Sequence, residues 1–327
     1  MKKTLAKILT LMLLLAATGC SAETTPKNSD SANAIQVGLV QLADNGAFTD
    51  MREGFIDKLR ELGYTEEQLV IDYKNANGDT ATLNSIFQTM VDAQKDLIVT
   101  IGTPATQAIV NMDSGIPVFF ISVSNPVGAK VITDMSTPDK HATGTSNAIP
   151  VSEMFKLSDQ LTPDRQTYGL IYNTGEVNAV TTIEQAKNYL DSVGLNYKEA
   201  IVTSSSEVQQ AAESLVGSVD AFFIPNDSMV QSAMPQVAEI AKQAKLPVYG
   251  SSAVMVQSGA FATVSIDDIT IGGITAEMAV KFLKGTPIEQ IPAITVSDFT
   301  TVINQSTADA IGVTIPQDIL SQAAIIE

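Results

Sequence analysis

Residues 37–48, VGLVQLADNGAF, and residues 168–179, YGLIYNTGEVNA, share one outline: an apolar run, a polar turn and the start of a second periodic segment. Two further pairs follow in the same order. DLIVTIGTPATQ (96–107) matches DAFFIPNDSMVQ (220–231), and IPVFFIS (116–122) matches LPVYGSS (246–252). Short β-branched runs alternating with longer helical patterns build βαβ units around parallel sheets. The repeat therefore predicts an α/β chain of two similar doubly wound parallel-sheet lobes joined by a hinge.

Outward from the first copy, strands are expected at 35–41, 69–75, 96–102 and 116–122. Between them, helical spacing puts Met51, Phe55, Leu59 and Leu62 on one face, with Gly63 ending the helix. Leu83, Phe87, Met90 and Val91 form a second inward face. All are expected to be core. The link between lobes is expected near 143–150, and GAFATVSIDDITIGGITAEMAVKFLKG (259–285) supplies a strand and then a Gly-rich entry into a helix. By analogy with two-lobed folds, the first lobe comprises 35–146 plus about 266–298. The second comprises 147–265 plus about 299–327.

The N-terminus carries basic residues, the apolar run ILTLMLLLAA and then Ala17-Thr18-Gly19-Cys20, which holds the chain's only cysteine. The run is too short to span a bilayer, which takes about 20 helical residues. It reads as a secretory signal over 1–19. The four residues around the cut resemble the lipobox of bacterial lipoproteins, which implies a diacylglyceryl group on Cys20. Residues 20–34, rich in Ser, Thr and Asn, are expected to be a flexible tether.

Bulk composition narrows the function. At 327 residues the chain exceeds one ordinary core, and 45% hydrophobic against 17% charged residues suits well-packed lobes. The net charge of −17 repels phosphate backbones, so nucleic acid is not expected as a partner. One Cys and one His, His141, leave no intramolecular disulfide and no Cys/His metal cluster to build. His141, in STPDKHATG, reads as a solvated loop residue. No GxSxG elbow, Walker loop, HExxH or GxGxxG after the first strand is present, so neither an enzyme nor a cofactor is expected.

Ligands of open α/β sheets bind at the carboxyl ends of the strands, where helix N-termini present free N–H groups. In the first copy those ends carry Gln41, Asp44, Thr103, Ser122, Ser124 and Asn125. In the second they carry Asn173, Glu176, Asn178, Asn226, Asp227, Ser251 and Ser252. Any one of them could simply cap a helix. Hydroxyls gather in the first copy and acids in the second, an asymmetry suited to a zwitterion. Its carboxylate would lie at the helix start in GTPA, and its ammonium would meet Asp227 or Glu176.

These motifs, with DYKNANGDTATLN and SSSEVQQAAESL, resemble the substrate-binding lipoproteins of ABC importers in the type I periplasmic-binding-protein fold. The subgroup that takes up tryptophan and phenylalanine is the most similar. The resemblance implies an amino acid clamped between lobes by Thr103, Ala105, Ser124 and Asn125 on one side. Asn173, Glu176, Asn178 and Asp227 would contact it from the other. It also implies delivery to a membrane permease with a cytoplasmic ATPase, and a lipid-anchored monomer on the outer face of the cytoplasmic membrane. Where much of the family has His-Pro after the first strand's acid, this chain has Asn45-Gly46, then Phe48. With no Trp, ring stacking would fall to Phe48, Phe120, Tyr172 or Phe222. A sugar or nucleoside receptor on the same fold remains the alternative.

Overall fold

A computed structural model describes residues 34–327. The signal segment, Cys20 and nearly all of the tether lie outside them. The first half runs β1 (Ile35–Gln41), α1 (Gly46–Glu61), β2 (Leu69–Asn75), α2 (Thr80–Asp92), β3 (Leu97–Ile101), α3 (Thr103–Val110), β4 (Val118–Ile121) and β5 (Ala142–Ser146). Next come α4 (Val151–Leu161), β6 (Thr167–Asn173), α5 (Val177–Val193), β7 (Asn196–Val202), α6 (Val208–Leu215) and β8 (Ala221–Ile224). They lead to α7 (Ser228–Ser232), α8 (Met234–Gln243), β9 (Val248–Gly250), α9 (Ala253–Gln257) and β10 (Ala262–Ser265). The chain closes with α10 (Asp268–Leu283), β11 (Ile294–Thr295), β12 (Thr300–Asn304), α11 (Gln305–Ile311), α12 (Gln317–Leu320) and β13 (Ala324–Ile326).

Two sheets result. The order β2-β1-β3-β4-β5-β11 in one is repeated as β7-β6-β8-β9-β10-β12-β13 in the other. In each, the order reverses beside its first strand, at β1/β3 and β6/β8, which opens a crevice at the strand ends. Side chains alternate across each sheet, as in β1, where Val37 and Leu39 join the core under α1 and α10 while Val40 joins the core under α2 and α3. The second lobe is layered likewise, with Tyr168 and Leu170 in one core and Ile171 in the other. Leu62, expected on the inward face of α1, is instead its exposed C-cap, because the chain has already turned away from the sheet.

The polypeptide crosses between sheets three times, at 147–150, 266–267 and 296–299. Ile149 and Phe299, in two of these linkers, each pack against the cores of both lobes. The crossings also explain why the second sheet is not wholly parallel. β10 ends at the hinge, so β12, which enters from the hinge, must run antiparallel to it, with Ser265 opposite Thr300.

α10 returns to the first lobe and lies against α1 in very close contact. A Cβ placed on Gly272 would collide with the Met51 carbonyl, and one on Gly54 with the Ile269 carbonyl. Small residues at these two points let the helix backbones touch. Gly272→Ala is therefore expected to lower stability by about 1–3 kcal/mol through overpacking, although Ala is the better helix former. Urea denaturation of the two proteins measures the difference.

Candidate functional site

The loops after β1, β3 and β4 face those after β6, β8 and β9, and the lobes touch directly. Gln231 Nε2 donates to Asn45 Oδ1 at 2.9 Å, and Ser232 Oγ donates to the Asp44 carbonyl at 3.0 Å. Asn45 also caps α1, its Oδ1 accepting from Phe48 N at 2.9 Å. A Cβ on Gly46 would lie 2.7 Å from Val254 of the opposite lobe. The Asn-Gly pair thus makes room for an inter-lobe contact.

Between the lobes lies a small, partly open cavity of about 40 Å3, lined by Phe48, Thr103, Ser122, Ser124, Asn178, Asp227, Ser251, Ser252 and Asp268 among others. A wider chamber of about 280 Å3 adjoins it, shares Ser124, Asn178 and Ser251, and adds Asn125. No Lys, Arg or His lines either one. Ala47, Met51, Ile149, Ile266 and Ile271 give the inner cavity an apolar wall.

One end of the cavity is the start of α3. Its N-cap is Gly102, at φ +82°, so no side chain caps it. Pro104 has no N–H, and the first turn's remaining donors, Thr103 N and Ala105 N, have no backbone acceptor among the described residues. Thr103 Oγ1 is buried without a hydrogen-bond partner. The helix dipole and an unspent donor there would suit an anion without a cationic side chain. Phe48 leans over Gly102, where a Cβ would stand 3.0 Å from its ring.

The second lobe behaves differently. Asp227 caps α7, its Oδ1 accepting from Met229 N and Val230 N at 3.0 Å each, while Oδ2 accepts from Asn173 N. Glu176 accepts from Ser228 N at 3.1 Å and from Ser228 Oγ at 3.2 Å. These acids answer helix N-termini and turns of their own lobe. Asp227, expected to face a ligand ammonium, already holds three backbone N–H groups. Burial and the Asp227 charge push Glu176 up to about 8, and burial raises Asp227 too, against the pull of its N–H donors.

Asn178 is better placed. Its Nδ2 donates to the Asn226 carbonyl at 2.7 Å, which fixes the amide and leaves Oδ1 buried without a partner. Ser124 Oγ donates to Asn147 Oδ1 at 2.9 Å, and Ser251 Oγ to the Ile224 carbonyl at 2.7 Å, so both stand at the cavity wall with acceptor capacity left. Asn173 and Glu176 line a separate inter-lobe cleft. Gln41 is buried and bonded to Ala43 O and Arg52, Asp44 is exposed at the rim, and Ala105 is buried inside α3. None of these three lines the inner cavity or its adjoining chamber. Phe120 and Phe222 are core, and Tyr172 spends its hydroxyl on Glu199. Of the rings considered for stacking, only Phe48 reaches the inner cavity.

Asp268 drew no attention in the sequence, where DD before an apolar helix looks like a cap. Asp267 makes that cap, accepting from Thr270 N at 2.6 Å. Asp268 lines the cavity instead. Among the described residues its carboxylate has neither a hydrogen-bond donor nor an ion-pair partner.

Two doubly wound lobes shut on a polar crevice define a ligand clamp of the type I periplasmic-binding-protein fold. The chain belongs to the ABC transporter substrate binding protein family, whose model matches residues 36–326. It is 33% identical over 301 residues to a tyrosine-binding protein of Clostridioides difficile, an alignment covering 90% of this chain and 87% of that protein. It is similar to the crystal structure of an ABC domain from Streptococcus pneumoniae in complex with L-Trp, at 31% identity and a TM-score of 0.86 over 90% of this chain and 100% of that one. A ligand-free, open substrate binding protein with adhesive properties from Clostridium difficile, 33% identical, gives a TM-score of 0.67 over 89% of this chain and 98% of that one. At like identity the ligand-bound arrangement is the nearer match, in keeping with lobes that touch.

Glu176 gives a pH signature. Its folded pKa of about 8 lies above the ordinary 4.5, so the native state keeps a proton that the unfolded chain releases. Its contribution to stability is complete below about pH 4.5 and is lost as pH rises toward about 8. In Glu176→Gln that decline disappears. Urea denaturation at several pH values should show the wild type losing stability relative to the variant across this window.

Proposed function

We propose that this protein is the solute receptor of an ABC importer and captures an aromatic amino acid, tryptophan, phenylalanine or tyrosine, between its lobes. The observation that carries this reading is the uncapped start of α3, an anion site in a cavity without cationic side chains. A carboxylate suits it. Apolar wall residues and Phe48 suit a ring, and what the tyrosine-binding and L-Trp-bound relatives hold supports the same class. A monomer delivers the ligand to a permease driven by a cytoplasmic ATPase.

Ligand entry requires the lobes to part, and the three linkers with Ile149 and Phe299 form the hinge. A thermal-shift panel of amino acids, sugars and nucleosides tests the class. The cognate ligand at a hundred times its Kd adds about 2.7 kcal/mol of stability. An aromatic amino acid should raise the midpoint most and lower the radius of gyration in small-angle scattering. A shift with a sugar or nucleoside alone would replace the reading with that alternative.

The protein acts on the outer face of the cytoplasmic membrane, held by lipid on Cys20. Among the described residues no helix is long and apolar enough to cross a membrane. Cys20→Ser should appear in the soluble fraction or medium. Labelled palmitate still entering the variant would defeat this assignment.

A further inference from the structure

The ammonium of an amino acid bound at α3 needs an anionic partner, and the two acids expected to provide it are bonded to their own lobe. Asp227 holds three backbone N–H groups, and Glu176 is tied to Ser228 in a different cleft. Asp268 is the other carboxylate that lines the cavity. It stands at the first position of α10 but is not needed to start that helix, because Asp267 makes the cap.

We propose that Asp268 is the ammonium-binding residue of the ligand site, with Asn178 Oδ1 as a second acceptor from the opposite lobe. The proposal rests on the amino-acid reading above. Two observations point to a donor-rich cation. Asp268 lines the cavity with no hydrogen bond or ion pair among the described residues. Asn178, 7% exposed and lining the same cavity, keeps an unpartnered oxygen that its own Nδ2–Asn226 bond has fixed in place.

The surroundings sharpen the demand. Loss of solvent around Asp268, and after it the charges of Asp50 and Asp267, raise its pKa well above the usual carboxylate range. An ammonium supplies the positive charge that no side chain of the cavity offers. The acid character of an α10 first turn would by itself be an ordinary response to the helix dipole. What separates Asp268 from that reading is its place in the wall of the cavity that Thr103, whose hydroxyl is also unpartnered, lines as well.

The assignment has a consequence for the order of capture. Thr103 and Asp268 both belong to the first lobe, so the two charged ends of the ligand are held on one lobe before closure. Asn178 arrives with the second lobe and completes the ammonium's shell. Ligand therefore docks on the first lobe of the open protein, and closure follows.

The test is calorimetric titration at neutral pH with L-tryptophan, L-phenylalanine and L-tyrosine, each beside its deaminated counterpart, such as indole-3-propanoate. The wild type should bind its best amino acid about a hundredfold more tightly than the counterpart, in line with losing one partner of a buried charged hydrogen bond. Asp268→Asn should weaken the amino acid by about the same factor and change the deaminated counterpart less than about threefold. The ligand-free variant should melt at or above the wild-type midpoint, because an uncompensated carboxylate has gone, whereas a structural role at the start of α10 would lower it. Equal binding of amino acid and counterpart by the wild type would overturn the assignment without any variant. Near wild-type affinity in Asp268→Asn would overturn it alone and leave the amino-acid reading standing. If the wild type binds none of the three amino acids, that reading falls and this assignment falls with it.

Discussion

Every helix that follows a parallel strand in this fold begins with N–H groups that its own backbone cannot satisfy, and these beginnings lie at the carboxyl ends of the strands. How each one is answered shapes the site. Asn45, Asp79, Asp227, Ser252 and Asp267 accept from the first turns of α1, α2, α7, α9 and α10. At α3 the glycine cap leaves the donors unspent beside an orphaned Thr103 hydroxyl. Leaving buried donors unmade costs about 1–3 kcal/mol each, and an arriving carboxylate removes that cost.

The same constraint accounts for the second lobe's acids. Concentrated carboxylates near a cleft suggest cation recognition, yet backbone amides compete for them at shorter range. Asp227 and Glu176 stitch β6, α5 and α7 into one wall, and burial, with the nearby Asp227 charge second, holds Glu176 above the usual carboxylate range.

The lobes are joined by three short linkers, and the apolar residues Ile149 and Phe299 in two of them touch both cores. Away from the linkers the lobes meet through polar contacts, Gln231 with Asn45 and Ser232 with Asp44, and through apolar ones, with Val254 and Met229 of the second lobe packed into cores of the first. Each of these exposed or half-exposed hydrogen bonds contributes on the order of 1 kcal/mol. Ligand contacts can then decide which state is populated.

Much of this was legible in the chain. Period-two apolar runs separated by helical spacing gave the strands and helices, and the paired motifs VGLVQLADNGAF and YGLIYNTGEVNA gave two doubly wound lobes, because hydrophobic period and repeat order are local properties. The polar residues at strand ends were visible for the same reason, and Thr103, Ser124, Asn178 and Ser251 do line the crevice. Which oxygens remain free was not visible. Asp227 and Asp268 are both acids at helix starts, and sequence spacing cannot tell a carboxylate satisfied by three amides from one left facing a cavity. The antiparallel β12 was equally hidden, since its direction follows from entering at the hinge rather than from its own residues. Local pattern determined the elements and their order. Partner choice among buried polar atoms, and hence the chemistry of the site, was decided only where distant segments met and competed for the same hydrogen bonds.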